Sequence, residues 1–206
     1  MYSWHLSPFA GKARIALARK NVAVELIEIN PADRPKELRE LNPTNRVPVL
    51  VVGDVAVRES TPICEWAEEV GDGPSLWPAD PAERAAARGL LRWVDDELLV
   101  NFFLSMRKEA FGLEKGDPED IVDILRGRLV KRWARLEDLL GRTDGPWLMG
   151  GEEPTLADLA GLPLAVRLPA WKPDLQPDPG ATPRAAQWLE DLRARPEAEE
   201  VDRKGS

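Results

Sequence analysis

The segment Asn42-Pro43-Thr44-Asn45-Arg46-Val47-Pro48-Val49-Leu50, with Glu59-Ser60 nine residues beyond its end, sets the architecture around it. Pro48 opens a strand, a position where its missing N–H breaks no ladder hydrogen bond. If Val47–Pro48 is cis, the turn presents the backbone N–H and C=O of Val47 toward a cleft. A peptide-like ligand can pair with those groups as a short antiparallel strand would. Ser60 offers a hydroxyl and an N–H at the start of a helix, a ready seat for a carboxylate.

Downstream of Pro48, Val49–Val52 and Val55–Arg58 read as two strands joined by Gly53-Asp54, with Gly first as a type II′ hairpin requires. Ser60 is expected to cap a helix over roughly 61–70, with Pro62 in its first turn. Upstream, Met1–Trp4 reads as a first strand, and Ser7-Pro8 starts a helix that runs to Lys20. Val22–Ile29 is rich in β-branched residues and reads as a strand, and 35–41 as a short helix. The order β-α-β-α-β-β-α predicts a mixed four-stranded sheet with helices packed on it.

Gly and Pro interrupt both helix and strand over 71–81, and a linker is placed at 73–81. It divides a small α/β domain, 1–72, from an all-helical domain, 82–206. In the latter, 82–110, 118–141, 155–168 and 183–195 have helical periodicity, and Ile121, Leu125, Leu129, Trp133, Leu136 and Leu140 trace one apolar stripe.

The bulk numbers narrow the function. Hydrophobic residues make up 43% of the 206, enough for packed cores. Five of the eight tryptophans lie beyond residue 90, which points to a densely packed helical half with room for an apolar pocket. A net charge of −8 argues against a nucleic-acid partner. With Cys64 the one cysteine, no internal disulfide forms. No signal peptide and no membrane-length apolar run is visible, so a soluble cytoplasmic protein with no membrane partner is expected.

The chain resembles the cytosolic glutathione transferases over nearly its whole length. The resemblance is carried by Tyr2-Ser3-Trp4-His5-Leu6-Ser7-Pro8-Phe9-Ala10 continuing to Leu17, by the Asn-Pro…Val-Pro-Val-Leu segment, by Glu59-Ser60, and by Pro146-Trp147-Leu148 leading to Pro154-Thr155-Leu156-Ala157-Asp158. Ser-Pro-Phe-Ala is similar to the serine-type tau class and the cysteine-type omega class, and Ser7 favours the serine kind of chemistry. The resemblance implies a thioredoxin-like N-terminal domain followed by an all-α domain. It also implies a homodimer, glutathione as substrate with no metal, and a role in detoxification.

Carried onto this sequence, Ser7 donates a hydrogen bond to the glutathione sulfur. A free thiol ionises near ~8.5. A helix N-terminus and a donated hydrogen bond both favour the thiolate, together by about one to two pKa units. Val47 and Pro48 hold the cysteinyl part, Ser60 the γ-glutamyl carboxylate, and Glu59 the ammonium or a backbone amide. Arg34, or else Lys36, meets the glycyl carboxylate. Phe9 borders this site and, with Phe102, Phe103, Met106 and Trp171, is nominated for an electrophile pocket; these aromatics equally fit core or dimer contacts. Thr155 and Asp158 match the family's capping box, a folding element.

Several features take structural readings. His5 is the one histidine, so no site built on several imidazoles can form. Cys64 is expected to be a buried helix residue. Arg128, Lys131, Arg132 and Arg135 read as a solvated face, and Glu152 and Glu153 as loop residues. The expected reaction is attack of the thiolate on a small apolar electrophile to give a thioether. Alternatives are glutathione-dependent ether cleavage or dehalogenation, and a non-catalytic transferase-fold interaction module. Thiol–disulfide reduction is disfavoured by serine at position 7.

Overall fold

The computed structural model describes residues 1–111 and 119–205, the side chains of 106–111 and 119–120 excepted. The chain separates into two compact units, 1–75 together with 199–206, and 76–198.

The first unit runs β1 (Tyr2–Ser3), α1 (Pro8–Arg19), β2 (Ile27–Glu28), α2 (Lys36–Leu41), β3 (Val49–Val52), β4 (Val55–Arg58) and α3 (Ser60–Val70). The strands lie in the order β2-β1-β3-β4; β1 is parallel to β2, and the other two pairings are antiparallel. Gly53, at φ +56, takes the first place of the β3–β4 turn, as a II′ hairpin requires. Neighbouring strand residues face opposite sides of a sheet, and Val49 and Leu50 divide the core accordingly. Leu50 packs with Ala13 and Leu17 of α1 and with Ile63 and Ala67 of α3. Val49 packs with Tyr2, Ile29 and Leu38 of α2 on the other face. This is the mixed sheet between helix layers that the order of elements predicts.

The strand expected over Val22–Ile29 is confined to Ile27–Glu28. Val22 and Val24 are half-buried against the Leu50 cluster. Their apolar character serves that packing, and no neighbouring strand pairs with them.

The second unit contains α4 (Pro81–Trp93), a π-helical segment (Val94–Leu99), α5 (Val100–Phe111), α6 (Glu119–Leu140), α7 (Leu156–Leu159), α8 (Leu162–Trp171) and α9 (Pro183–Arg193). A short 3₁₀ turn, Pro196–Glu200, leads into the closing residues that pack with the first unit. Leu76 and Trp77, in the segment read as a linker, are buried, and the Leu156 N–H donates to the Leu76 carbonyl at 2.8 Å.

On α6, Leu125, Leu129, Trp133, Leu136 and Leu140 are buried as the stripe predicts, but Ile121 is 41% exposed and Val122 takes its place inward. The helix expected over 155–168 is two pieces, α7 and α8. Gly161 lies at the break, where an added Cβ would stand 2.1 Å from the Trp188 indole. Among the described residues, no helix is long and apolar enough to cross a membrane.

Candidate functional site

Strand register gathers the site. Tyr2, Val49 and Arg58 lie side by side across β1, β3 and β4, and β3 runs against its two neighbours. The residues after Tyr2, those before Val49 and those after Arg58 therefore leave the sheet at the same end. They are the loop to Ser7, the Val47–Pro48 bond and the Glu59-Ser60 corner.

Ser7 is the N-cap of α1. Its backbone is extended (φ −71, ψ 121), its Oγ accepts the Ala10 N–H at 3.2 Å, and its own N–H donates to the Trp4 carbonyl at 2.9 Å. A hydroxyl that accepts at a lone pair keeps its O–H hydrogen for donation. Here that hydrogen sits at the positive end of a 12-residue helix. Phe9, in the first turn of α1, is half-buried.

The Val47–Pro48 bond is cis. Val47 is half-buried, and its N–H and C=O have no hydrogen-bond partner among the described residues. Asn42, 2% exposed, braces the approach to this bond. Its Nδ2 donates to the Arg46 carbonyl at 3.0 Å, and its Oδ1 accepts from the Thr44 N–H and hydroxyl at 3.2 and 3.0 Å. The asparagine of the Asn-Pro pair is thus a turn brace.

The expected cap at Ser60 is corrected. Ser60 is the first residue of α3 and is buried, while Glu59 occupies the cap position with φ +67, ψ +145 and no side-chain cap bond. One residue turns the chain from β4 into α3, so that residue takes up the whole change of direction. An L-residue held in this glycine-favouring region costs about 1–3 kcal/mol. The Glu59 side chain is exposed at the corner. Behind it, the Lys12 ammonium donates to the Thr61 hydroxyl at 3.1 Å and ties α1 to the first turn of α3.

Arg34 is exposed and donates to the carbonyls of Asn45 and, at 3.2 Å, Pro31, so much of its fork braces its own loop. Lys36 is exposed and pairs with Glu40 at 3.7 Å. Arg46 was not among the expected site residues. It is exposed and directly precedes Val47. Its adjacency to the Val-Pro pair is the signal that would have found it.

Two further residues stand behind the loop to Ser7. Arg14, 2% exposed, donates to the Ser3 hydroxyl at 2.6 Å and the His5 carbonyl at 3.1 Å. Glu28 accepts from the His5 N–H at 2.9 Å and contacts the His5 ring at 2.6 Å, the structural role expected for that histidine. Partial burial pushes the Glu28 carboxyl up. The His5 and Gly205 hydrogen bonds outweigh it and hold the group below its ordinary range. Cys64 is fully buried in α3.

In the second unit, Phe102 is buried and stacks on half-buried Trp171, with ring centroids 5.9 Å apart at 12°. The Arg167 guanidinium lies 5.5 Å from the Trp171 ring centroid. Phe103 is half-buried, and the Met106 side chain lies outside the described residues. Asp158, fully buried, is a structural hub. It accepts from the Leu148 N–H (2.8 Å), the Trp188 indole (3.0 Å), and the Thr155 N–H (3.0 Å) and hydroxyl (3.1 Å). Burial pushes its carboxyl up against these donors. Among the described residues, no group of three His, Cys, Asp or Glu is placed to hold a metal.

A mixed four-stranded sheet with the N-termini of α1 and α3 and the open Val47 backbone at one end is the frame of the candidate site. Residues 1–75 match the family model described as "Glutathione S-transferase, N-terminal domain". The chain is 33% identical over 169 residues to FtsZ-localized protein A of Caulobacter vibrioides, covering 78% of this chain and 72% of that one. It is 30% identical over 202 residues to the probable maleylacetoacetate isomerase of Caenorhabditis elegans, covering 94% and 89%. The crystal structure of a tau-class glutathione S-transferase from mango, Mangifera indica, matches with a TM-score of 0.78 at 25% identity, covering 98% of this chain and 91% of that one. The chain belongs to the glutathione S-transferase family.

Proposed function

We propose that this protein is a serine-type glutathione transferase that joins the glutathione sulfur to a small apolar electrophile. The observation that carries the reading is the Tyr2–Val49–Arg58 register, which gathers the Ser7 hydroxyl, the Val47 backbone and the α3 N-terminus at one end of one sheet. Val47 pairs with the cysteinyl backbone, and Ser60 with the first turn of α3 receives the γ-glutamyl carboxylate. Glu59 meets the ammonium, and Arg34 and Arg46 supply positive charge for the glycyl carboxylate. Ser7 donates to the sulfur as it ionises. The thiolate attacks an electrophilic carbon, the C–S bond forms, and the leaving group takes the electron pair of the bond it breaks. Ser7 is a hydrogen-bond donor here and not a nucleophile, so it needs no paired base. In the first unit, Phe9 is the side chain proposed to face the electrophile. Family membership supports a homodimer, a cytoplasmic place and a detoxifying role.

The test is calorimetric titration with glutathione on wild type and Ser7→Ala, paired with a chlorodinitroarene conjugation assay. Wild type binds and conjugates, and Ser7→Ala binds but conjugates at least about tenfold more slowly, the equivalent of one unit of thiol pKa. No binding by wild type contradicts the reading.

A second reading is favoured by the 33%-identical relative, whose name ties it to FtsZ: a transferase-fold module that recruits a protein partner. Glutathione binding without conjugation in both wild type and Ser7→Ala selects it.

A further inference from the structure

Residues 199–205 pack with the first unit although the chain has meanwhile passed through the whole of the second. Two side chains hold them there, and both also hold the loop that delivers Ser7. Arg14 donates through Nε to the Glu200 carbonyl at 2.9 Å and through Nη2 to the Val201 carbonyl at 2.5 Å. The same guanidinium donates to the Ser3 hydroxyl and the His5 carbonyl. Glu28 accepts the Gly205 N–H at 3.4 Å with one oxygen and the His5 N–H with the other. Val201 is fully buried. From His5 the loop reaches Ser7 through one residue, and the Trp4 carbonyl closes it onto the Ser7 N–H.

A guanidinium has five donors in a rigid planar fork, so it spreads over several carbonyls only if those carbonyls are held in fixed relation. With Arg14 nearly fully buried, the Ser3–His5 backbone and the Glu200-Val201 backbone are set by one rigid object. Glu28, from a different element, repeats the link. We propose that residues 199–205 are a strap that positions Ser7, with Arg14 and Glu28 as its positioning residues. The inference rests on the reading of Ser7 as donor to the glutathione sulfur. Hydrogen-bond donation to a developing charge is sensitive to displacements of a fraction of an ångström. The Val47 and Ser60 parts of the site do not run through the strap, so loosening it affects the sulfur more than the peptide frame.

The experiment compares wild type, a chain ending at residue 199, and Glu28→Ala in the full chain. It measures the pH profile of kcat/KM for glutathione and the Kd for S-methylglutathione, which has no thiol to ionise. Removal of the strap takes buried Val201 with it, so Glu28→Ala provides a variant that keeps the strap residues. In both variants the pKa governing kcat/KM rises by about one unit, with about a tenfold loss at neutral pH. The Kd for S-methylglutathione moves by less than about twofold, because only the sulfur's environment has changed. Placed in a Ser7→Ala background, the same changes give no further rise, since residues acting as a unit are not additive. An unmoved pKa in both variants overturns the inference, as does a parallel loss of S-methylglutathione affinity and kcat/KM. Failure of wild type to bind glutathione overturns the reading of the site, and the inference with it.

Discussion

The Ser7 hydroxyl oxygen accepts the Ala10 N–H at 3.2 Å, so the residue proposed to steady a thiolate is also the N-cap of α1. The two roles use opposite ends of one hydroxyl and can be separated. Ser7→Ala removes both. Loss of the cap costs about 1 kcal/mol, which lowers Tm by about 2–4 °C in a chain of this size. Ser7→Asp restores the cap, because a carboxylate accepts the same N–H, but it has no hydrogen to donate and places a negative charge beside the sulfur. Melting curves with conjugation rates should show Ser7→Asp near wild-type stability and no faster than Ser7→Ala.

Glu59 stands at φ +67 in a region that glycine enters without strain. Glu59→Gly should leave Tm level or raise it by about 1–3 °C, a relief of up to about 1 kcal/mol set against the freedom gained by the unfolded chain. The same variant should weaken glutathione binding about tenfold by removing the carboxylate proposed for the γ-glutamyl ammonium. Stability and affinity moving in opposite directions is the outcome to look for by calorimetry. A drop in both would mean that the Glu59 side chain mainly supports the fold.

Asp158 accepts hydrogen bonds from the Leu148 N–H, the Trp188 indole and Thr155, all within the second unit. Asp158→Ala leaves these buried donors without an acceptor, at about 1–3 kcal/mol each where water cannot enter. A fall in Tm of on the order of 10 °C follows. The Trp188 fluorescence maximum should shift as its indole loses its partner. Glutathione Kd, measured well below the new Tm, should stay within about twofold. An unchanged Tm would refute the hub role.

Glu28 is held below the ordinary carboxylate range, because the His5 and Gly205 hydrogen bonds outweigh its partial burial. A depressed carboxyl contributes stability above its unfolded pKa and loses it as pH falls through the folded value. Wild-type Tm should therefore fall on acidification below about pH 4.5. Glu28→Gln, which cannot titrate, should show a shallower fall over the same range. Equal slopes in scanning calorimetry would contradict the assignment.

How much of this was legible in the sequence depended on how far apart the deciding residues lie. Pro48, Gly53-Asp54 and the valine-rich runs on either side gave the hairpin, since turn chemistry and strand propensity are local. Ser7-Pro8 gave the start of α1 for the same reason. The cap assigned to Ser60 missed by one residue. Nothing in Arg58-Glu59-Ser60 announces that a single glutamate turns the chain, which follows from where β4 ends and α3 must pack. Val22 and Val24 looked like strand because β-branched residues suit strands, yet here they serve only as packing. The break before α8 was hidden because Gly161 yields to Trp188, far away in sequence. The return of residues 199–205 was invisible for the strongest form of that reason: Arg14 and Val201 are 187 positions apart. Of the candidate site, the grouping of Val47, Pro48, Glu59 and Ser60 near one another was readable from motif spacing. The support of the loop to Ser7 by Arg14 and Glu28 became visible only in three dimensions.

The most direct measurement of the central claim is a pH titration of the thiolate absorbance of glutathione bound to wild type and to Ser7→Ala. In wild type the bound thiol is expected to ionise about one to two units below the free value of ~8.5, and in Ser7→Ala, which keeps the helix N-terminus but loses the hydrogen bond, about one unit higher than in wild type. A bound thiol that ionises at the same pH in both proteins, or no bound thiol at all, would contradict it.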